Sequence, residues 1–257
     1  MVRQITGRSA ELEFNGKVYF RLFYDGVRYR GWSKQKSGLT VQAVLERALM
    51  ETGCELGRLR ALSRTDAGVR ALSQIVALEG QSIRPLAVNR VLPDDMAITH
   101  YTTRLGEVLS KTYVYVKNGR WLHPKTVIKA CDELYRMDVS NMFYKKGGAK
   151  PSGPLKTEFI STHTDEFIFF KAKGFGYQQL RRIVGYLTFV DSIGEIPKRY
   201  SNIHPARPEG LILLNIDSTA DWVELAEGLA KVKRYLSSKI SELEWSLSVY
   251  RFVLACF

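Results

Sequence analysis

The chain has 257 residues, 45% of them hydrophobic and 25% charged, with 38 Lys+Arg against 26 Asp+Glu and a net charge of +12. That length is enough to bury a core, as one large domain or two small ones, and no apolar run approaches the roughly 20 residues of a membrane-spanning helix. The positive charge favours polyanionic partners; residues 1–104 carry 16 basic against 10 acidic groups and residues 105–257 carry 22 against 16, so a polyanion site is expected on the folded surface rather than on a tail.

The stretch 17–24, KVYFRLFY, is β-branched and aromatic and predicts a strand. A turn-rich segment, DGVRYRGWSKQKSG, follows. Val41, Val44, Leu45, Ala48 and Leu49 then fall at helical spacing, with Thr40 as N-cap and Gly53 as the stop. LRALSRT and SQIVALEG predict two strands around a turn at 66–68. RPLAVNRVL predicts a short helix opened by Pro85, and MAITHYTT a strand. The order is β-α-β-β-α-β.

The second half repeats that order. KTYVYVKNG (111–119) predicts a strand, and Pro124 opens a helix with Val127, Ile128, Cys131, Leu134 and Tyr135 on one face. LKTEFISTH and EFIFFKAKGF predict a hairpin around Thr164 and Asp165. YQQLRRIVGYLTFV predicts a helix, GLILLNID (210–217) an apolar strand, and a last helix runs over roughly 220–240. The final stretch WSLSVYRFVLACF carries no clear assignment. The expected fold class is α+β, with two ferredoxin-like halves, 1–104 and 105–257, sharing a central, mostly antiparallel sheet with helices on one side and an active-site cleft between the halves.

Three cysteines, Cys54, Cys131 and Cys256, are widely spaced and form no C-x-x-C pair, and the four histidines show no metal spacing. This predicts a reducing, cytoplasmic compartment and no metal site. The segment MVRQITGRSAELEF lacks the apolar centre of a signal peptide.

Five segments invite a chemical reading. Asp66 in SRTDAGVRA is either an Asx-turn residue or a functional acid that Arg64, two residues earlier, could pair with. In YDGVRYRGWSKQKSG, Arg28, Arg30, Lys34 and Lys36 interleave with Tyr29 and Trp32, as a loop that grips phosphates and stacks on bases would, or as a solvated loop with Trp32 folded inward. Tyr113 and Tyr115 share one face of a strand. Arg181 sits at the edge of an apolar helical stripe, where it either reaches water or points into a cleft and needs an anion. YKKGGAKPSGP (144–154) is a basic loop.

Together these segments resemble the tRNA pseudouridine synthase A family, in order along most of the chain. YDGVRYRGWSKQ resembles that family's Y-D-G-x-x-Y-x-G-W-x-x-Q, SRTDAGVRA its R-T-D-A-G-V-H-A, and KTYVYV its R-x-Y-x-Y. GFGYQQLRRIVGYL resembles its F-x-x-x-x-V-R-x-I-V-G, and RPEGLILLNID its P-x-G-L-x-L. Arg70 stands where the family pattern has histidine. The resemblance implies Asp66 as catalytic aspartate, Arg64 as the arginine that helps turn out the target base, Tyr113 as the active-site tyrosine, and Arg181 as the partner of Asp66. Arg28, Arg30, Lys34, Lys36 and Arg70 are the candidate RNA contacts. The resemblance further implies a cytoplasmic, cofactor-free homodimer that isomerises uridine to pseudouridine at positions 38 to 40 of the tRNA anticodon stem-loop. A catalytically silent RNA-binding module on the same scaffold is the alternative. A glycoside hydrolase would want paired carboxylates, and these segments offer one.

The chemistry asks for such an acid. The bond from base nitrogen to sugar breaks, the base rotates, and a ring carbon rejoins the sugar. The sugar carbon becomes cation-like meanwhile, and an ionised carboxylate beside it can add to it, stabilise it, or take a neighbouring proton. The base must first leave its stack, at a cost of a few kcal/mol.

Overall fold

A computed structural model describes residues 12–136, 143–144, 147–148, 150–161, 166–197 and 203–255. One nine-stranded sheet organises them. The first β-α-β-β-α-β run is β1 (Phe14–Tyr24), α1 (Val41–Glu51), β2 (Glu55–Ala61), β3 (Arg70–Ile83), α2 (Pro85–Val91) and β4 (Met96–Thr102). The second is β5 (Val108–Lys117), α3 (Pro124–Arg136), β6 (Lys156–Ser161), β7 (Glu166–Ala172), α4 (Gln179–Ile193) and β8 (Leu211–Ser218). A two-residue strand, β9 (Val223–Glu224), and a 30-residue helix, α5 (Ala226–Ala255), complete the chain.

Local signals account for the element ends. Thr40 caps α1 by accepting from the Ala43 amide at 3.3 Å, Pro85 and Pro124 open their helices, and Gly194, at φ +73°, closes α4. The predicted turn at Thr164 and Asp165 lies outside the described residues, but the flanking strands pair antiparallel from Lys156–Lys171 to Ser161–Glu166.

The sheet runs β6-β7-β5-β8-β3-β1-β4-β9, with β2 also on β3. The strands of the first run therefore pair as β4-β1-β3-β2, and those of the second as β8-β5-β7-β6. Every pairing is antiparallel except β3 with β8, where Arg70 lies beside Ile212 and Ala71 beside Leu213. Fourteen-residue β3 meets β8 at its start and β2 along Val76–Gln81. That one strand joins the two runs and brings the 62–69 loop to the seam.

The core lies between the sheet and helices α1 to α4: Phe20, Leu22, Tyr24, Val76, Leu78, Met96 and Ile98 pack with Leu45 and Leu49, and Ile168 and Phe170 with Val127 and Ile183. Helix α5 departs from the expectation of helices on one side. Its Val232 and Tyr235 pack on Phe23 and Ala97, which strand alternation places on the opposite face from Leu22, Tyr24, Met96 and Ile98. It also starts and ends later than expected, and continues as helix over 245–255 of the segment that the sequence leaves unassigned. Cys54 and Cys131 are buried and unpaired, and Cys256 lies outside the described residues.

Candidate active site

The loop 62–69 between β2 and β3 is held at nearly every residue. The Leu62 carbonyl accepts from Lys111 Nζ at 2.6 Å. Ser63 is clamped on both sides by the fully buried Gln74, whose Oε1 accepts from the Ser63 amide at 3.2 Å and whose Nε2 donates to the Ser63 carbonyl. The Ser63 hydroxyl bonds the Tyr113 hydroxyl at 2.8 Å, and Thr65 Oγ1 bonds the Tyr24 hydroxyl at 2.8 Å. The Trp32 amide donates to the Thr65 carbonyl at 3.1 Å, and the Val69 amide to the Asp66 carbonyl at 3.3 Å. Gly68, at φ +82°, makes the turn that a residue with a Cβ would resist.

Gln74 was not singled out by the sequence reading. Its signal was available: it shares one strand face with Val76 and Leu78, and a polar group in such a row must find partners when buried.

The RGW stretch supports this loop from behind. A Cβ on Gly31 would come 2.9 Å from the Thr65 carbonyl oxygen, so only glycine allows that approach. Tyr29 and Trp32 are buried. Trp32 is thus folded inward, as the second reading of this loop expected, yet still lines the pocket.

Arg181 arrives from the other run. In the first turn of α4, it donates from Nη1 to Asp66 Oδ2 at 3.0 Å and from Nε to the Ala206 carbonyl at 2.8 Å. The left-handed Gln178 (φ +58°) precedes the helix, and Gln179 returns its side chain to the Gly176 amide at 2.8 Å. Of the two readings of Arg181, the cleft is the one observed.

These groups line a pocket of about 970 Å³ whose wall includes Trp32, Arg64, Asp66, Lys111, Tyr113 and Arg181. Tyr113 is buried, with its ring and that of Phe175 nearly perpendicular and their centroids 5.3 Å apart. Burial pushes the Tyr113 phenol well above its ordinary value, and pushes the Lys111 ammonium below its own. Arg64 is exposed, and no described residue pairs with it.

The five candidate RNA contacts divide. Arg30 lines the pocket, and Lys36 is exposed. Arg28 pairs with Asp95 at 2.8 Å, Lys34 with Glu46, and Arg70 with Asp25 at 3.0 Å and the Glu209 carbonyl. Among the described residues there is no cluster of three or more His, Cys, Asp or Glu able to hold a metal, and no helix long and apolar enough to cross a membrane.

No protein-family model matches the chain. Curated relatives do. A tRNA pseudouridine synthase A from Thermoanaerobacter sp. is 31% identical over 236 residues, covering 75% of this chain and 96% of the relative. A protein of the same name from Nitrosomonas eutropha is 26% identical, covering 80% and 89%. Another from Archaeoglobus fulgidus is 29% identical, covering 78% and 83%.

Proposed function

The chain belongs to the tRNA pseudouridine synthase A family and is an isomerase converting uridine in tRNA to pseudouridine; from that premise we propose that it acts at positions 38 to 40 of the anticodon stem-loop, with Asp66 as the catalytic carboxylate. The observation that supports the role of Asp66 is its ion pair with Arg181 at 3.0 Å in the pocket wall; the target positions rest on the family resemblance. An acid held by one guanidinium through Oδ2 has its charge balanced and its orientation set, and leaves its second oxygen for the sugar carbon as the bond to the base nitrogen breaks.

The other roles follow from what each side chain has free. The Tyr113 hydroxyl is bonded to Ser63 and the residue lines the pocket, so we assign it to packing against the rotating base. Arg64, exposed beside Asp66, is free to fill the gap that a flipped uridine leaves and to meet phosphate. Arg30 and Lys36 are the candidates with the most freedom to meet the RNA backbone; Arg28, Lys34 and Arg70 would first have to leave their carboxylates.

We read 1–104 and 105–257 as two ferredoxin-like halves; the repeated strand orders β4-β1-β3-β2 and β8-β5-β7-β6 support this. The reading also includes a cytoplasmic homodimer, as the resemblance implies. The test is incubation of purified protein with unmodified tRNA and mapping of pseudouridine. Modification confined to positions 38 to 40, absent with Asp66→Asn while tRNA binding persists, is the expected result. Modification elsewhere overturns the target, and turnover by Asp66→Asn overturns the residue.

A further inference from the structure

Among the described residues, helix α5 is seated on the protein through its beginning. A Cβ on Gly228 would come 2.0 Å from the Ile98 carbonyl oxygen, Lys231 Nζ donates to the Asn89 carbonyl at 2.8 Å, and the Tyr235 hydroxyl donates to Asp25 Oδ2 at 2.8 Å. Beyond Tyr235 the helix is mostly uncovered. Leu236, Ile240, Leu243, Leu247, Tyr250 and Leu254 are all exposed, the last two at 72% and 75%. A contiguous apolar surface of this kind marks an interaction site.

The spacing of those six residues is 4-3-4-3-4. That is the 3.5-residue period of a coiled-coil seam, not the wider stripe of a helix lying on a globular core. It begins where contact with the rest of the protein ends, and continues for about 27 Å at 1.5 Å per residue. The flanking charges choose the partner and its direction. Lys239 lies on one side of the seam and Glu244 on the other. In a parallel, in-register pair of identical helices, Lys239 of each copy faces Glu244 of the other, twice by symmetry. An antiparallel pair with the same core layers would set the two Glu244 carboxylates against each other. Lys239 also reaches Glu242 of its own helix at 2.6 Å, but both side chains are about half exposed, and such pairs exchange at little cost.

We propose that residues 236–254 form a parallel two-stranded coiled coil with α5 of a second copy of this chain. The proposal rests on the homodimer reading above and assigns it a surface. Trp245, Val249 and Phe252 make a shorter apolar stripe away from the seam, which the test must separate from it.

The test is sedimentation of the full chain at fixed salt over a range of concentrations. Wild type is expected to be a dimer, Leu243→Glu with Leu247→Glu a monomer, and Trp245→Glu with Phe252→Glu still a dimer. Glu244→Lys should weaken the dimer about tenfold, and adding Lys239→Glu should restore it, because the exchanged pair regains its attraction. A dimer that survives the seam substitutions overturns the coiled coil and leaves the homodimer standing. A monomeric wild type overturns both, as does a monomer that instead sediments with phospholipid vesicles. Dissociation by Glu244→Lys that Lys239→Glu does not repair overturns the parallel register.

Discussion

Replacing Arg181 by methionine tests the link between the two halves of the site. The substitution keeps the apolar stem and removes both the ion pair to Asp66 and the 2.8 Å bond to the Ala206 carbonyl. The side chains of Arg181 and Asp66 are 14% and 22% exposed, so the pair is neither a surface bridge nor fully buried. Exposed pairs contribute about 0.2–1 kcal/mol, and one-sided loss of a buried pair costs about 3–5 kcal/mol. Gross attraction on the order of 4 kcal/mol, at an effective dielectric near 20, is partly cancelled by desolvation. Arg181→Met should therefore cost roughly 2–3 kcal/mol, of which about 1 kcal/mol is the carbonyl bond. Asp66→Asn should cost about 1–2 kcal/mol, and the double variant should fall short of the sum by about 1–2 kcal/mol. Urea denaturation of the four proteins measures the cycle, and pseudouridine formation is expected to be absent in all three variants. Losses that add to within about 0.5 kcal/mol would show that the two residues do not interact, and would refute the placement of the counter-ion.

Three further outcomes follow from the site. Gln74→Leu leaves the buried Ser63 amide and carbonyl without partners; it should cost about 2–4 kcal/mol and lower kcat more than it raises KM, and unchanged turnover at saturating tRNA would remove Gln74 from the loop's support. Tyr113 keeps its proton in the folded chain above pH 10, where the unfolded chain loses it. Its contribution is therefore complete below pH 10 and lost as pH rises; Tyr113→Phe should flatten the alkaline fall in stability by up to about 1.4 kcal/mol per pH unit, seen in melts between pH 8 and 11. Arg30→Ala with Lys36→Ala should make the log–log salt dependence of tRNA binding shallower by about one to two units, and Lys34→Ala, already paired with Glu46, by less.

The element order was legible because its signals are local. Alternation marked the strands, and Thr40, Pro85, Pro124 and the glycines marked the ends. What failed depended on distant contacts. The strand expected over 59–65 stops at Ala61, because the backbone of Ser63 bonds the Gln74 side chain in place of a neighbouring strand. Tyr29 and Trp32 read equally well as base-stacking rings, since nothing in their own segment says that Gly31 lies against Thr65. The end of α5 was missed because its seated face stops at Tyr235 and the apolar stripe then continues on another side of the helix. Asp66, Tyr113 and Arg181 do converge on one pocket, but only the motif resemblance singled them out together; as isolated residues, each had an ordinary structural reading.

The geometry explains why a single acid sits in a basic turn. The backbone of residues 62–65 is fixed by Gln74, Tyr24 and Trp32 of the first run and by Lys111 and Tyr113 of the second. The described partner of the Asp66 carboxylate is Arg181, delivered by α4. Position and charge are thus supplied separately, and they meet because β3 pairs with β8 immediately after the loop. An acid fixed in place without Arg181 would bear the cost of a half-buried charge alone. With Asp66 as the catalytic carboxylate proposed above, Arg181 without a rigid loop would hold a carboxylate free to follow it, away from the sugar carbon, and turnover would need both constraints at once. Loosening the loop at Gln74 and removing the guanidinium at Arg181 should therefore damage catalysis through separable routes: the first lowers kcat while the ion pair survives, and the second removes the counter-ion while the loop keeps its shape.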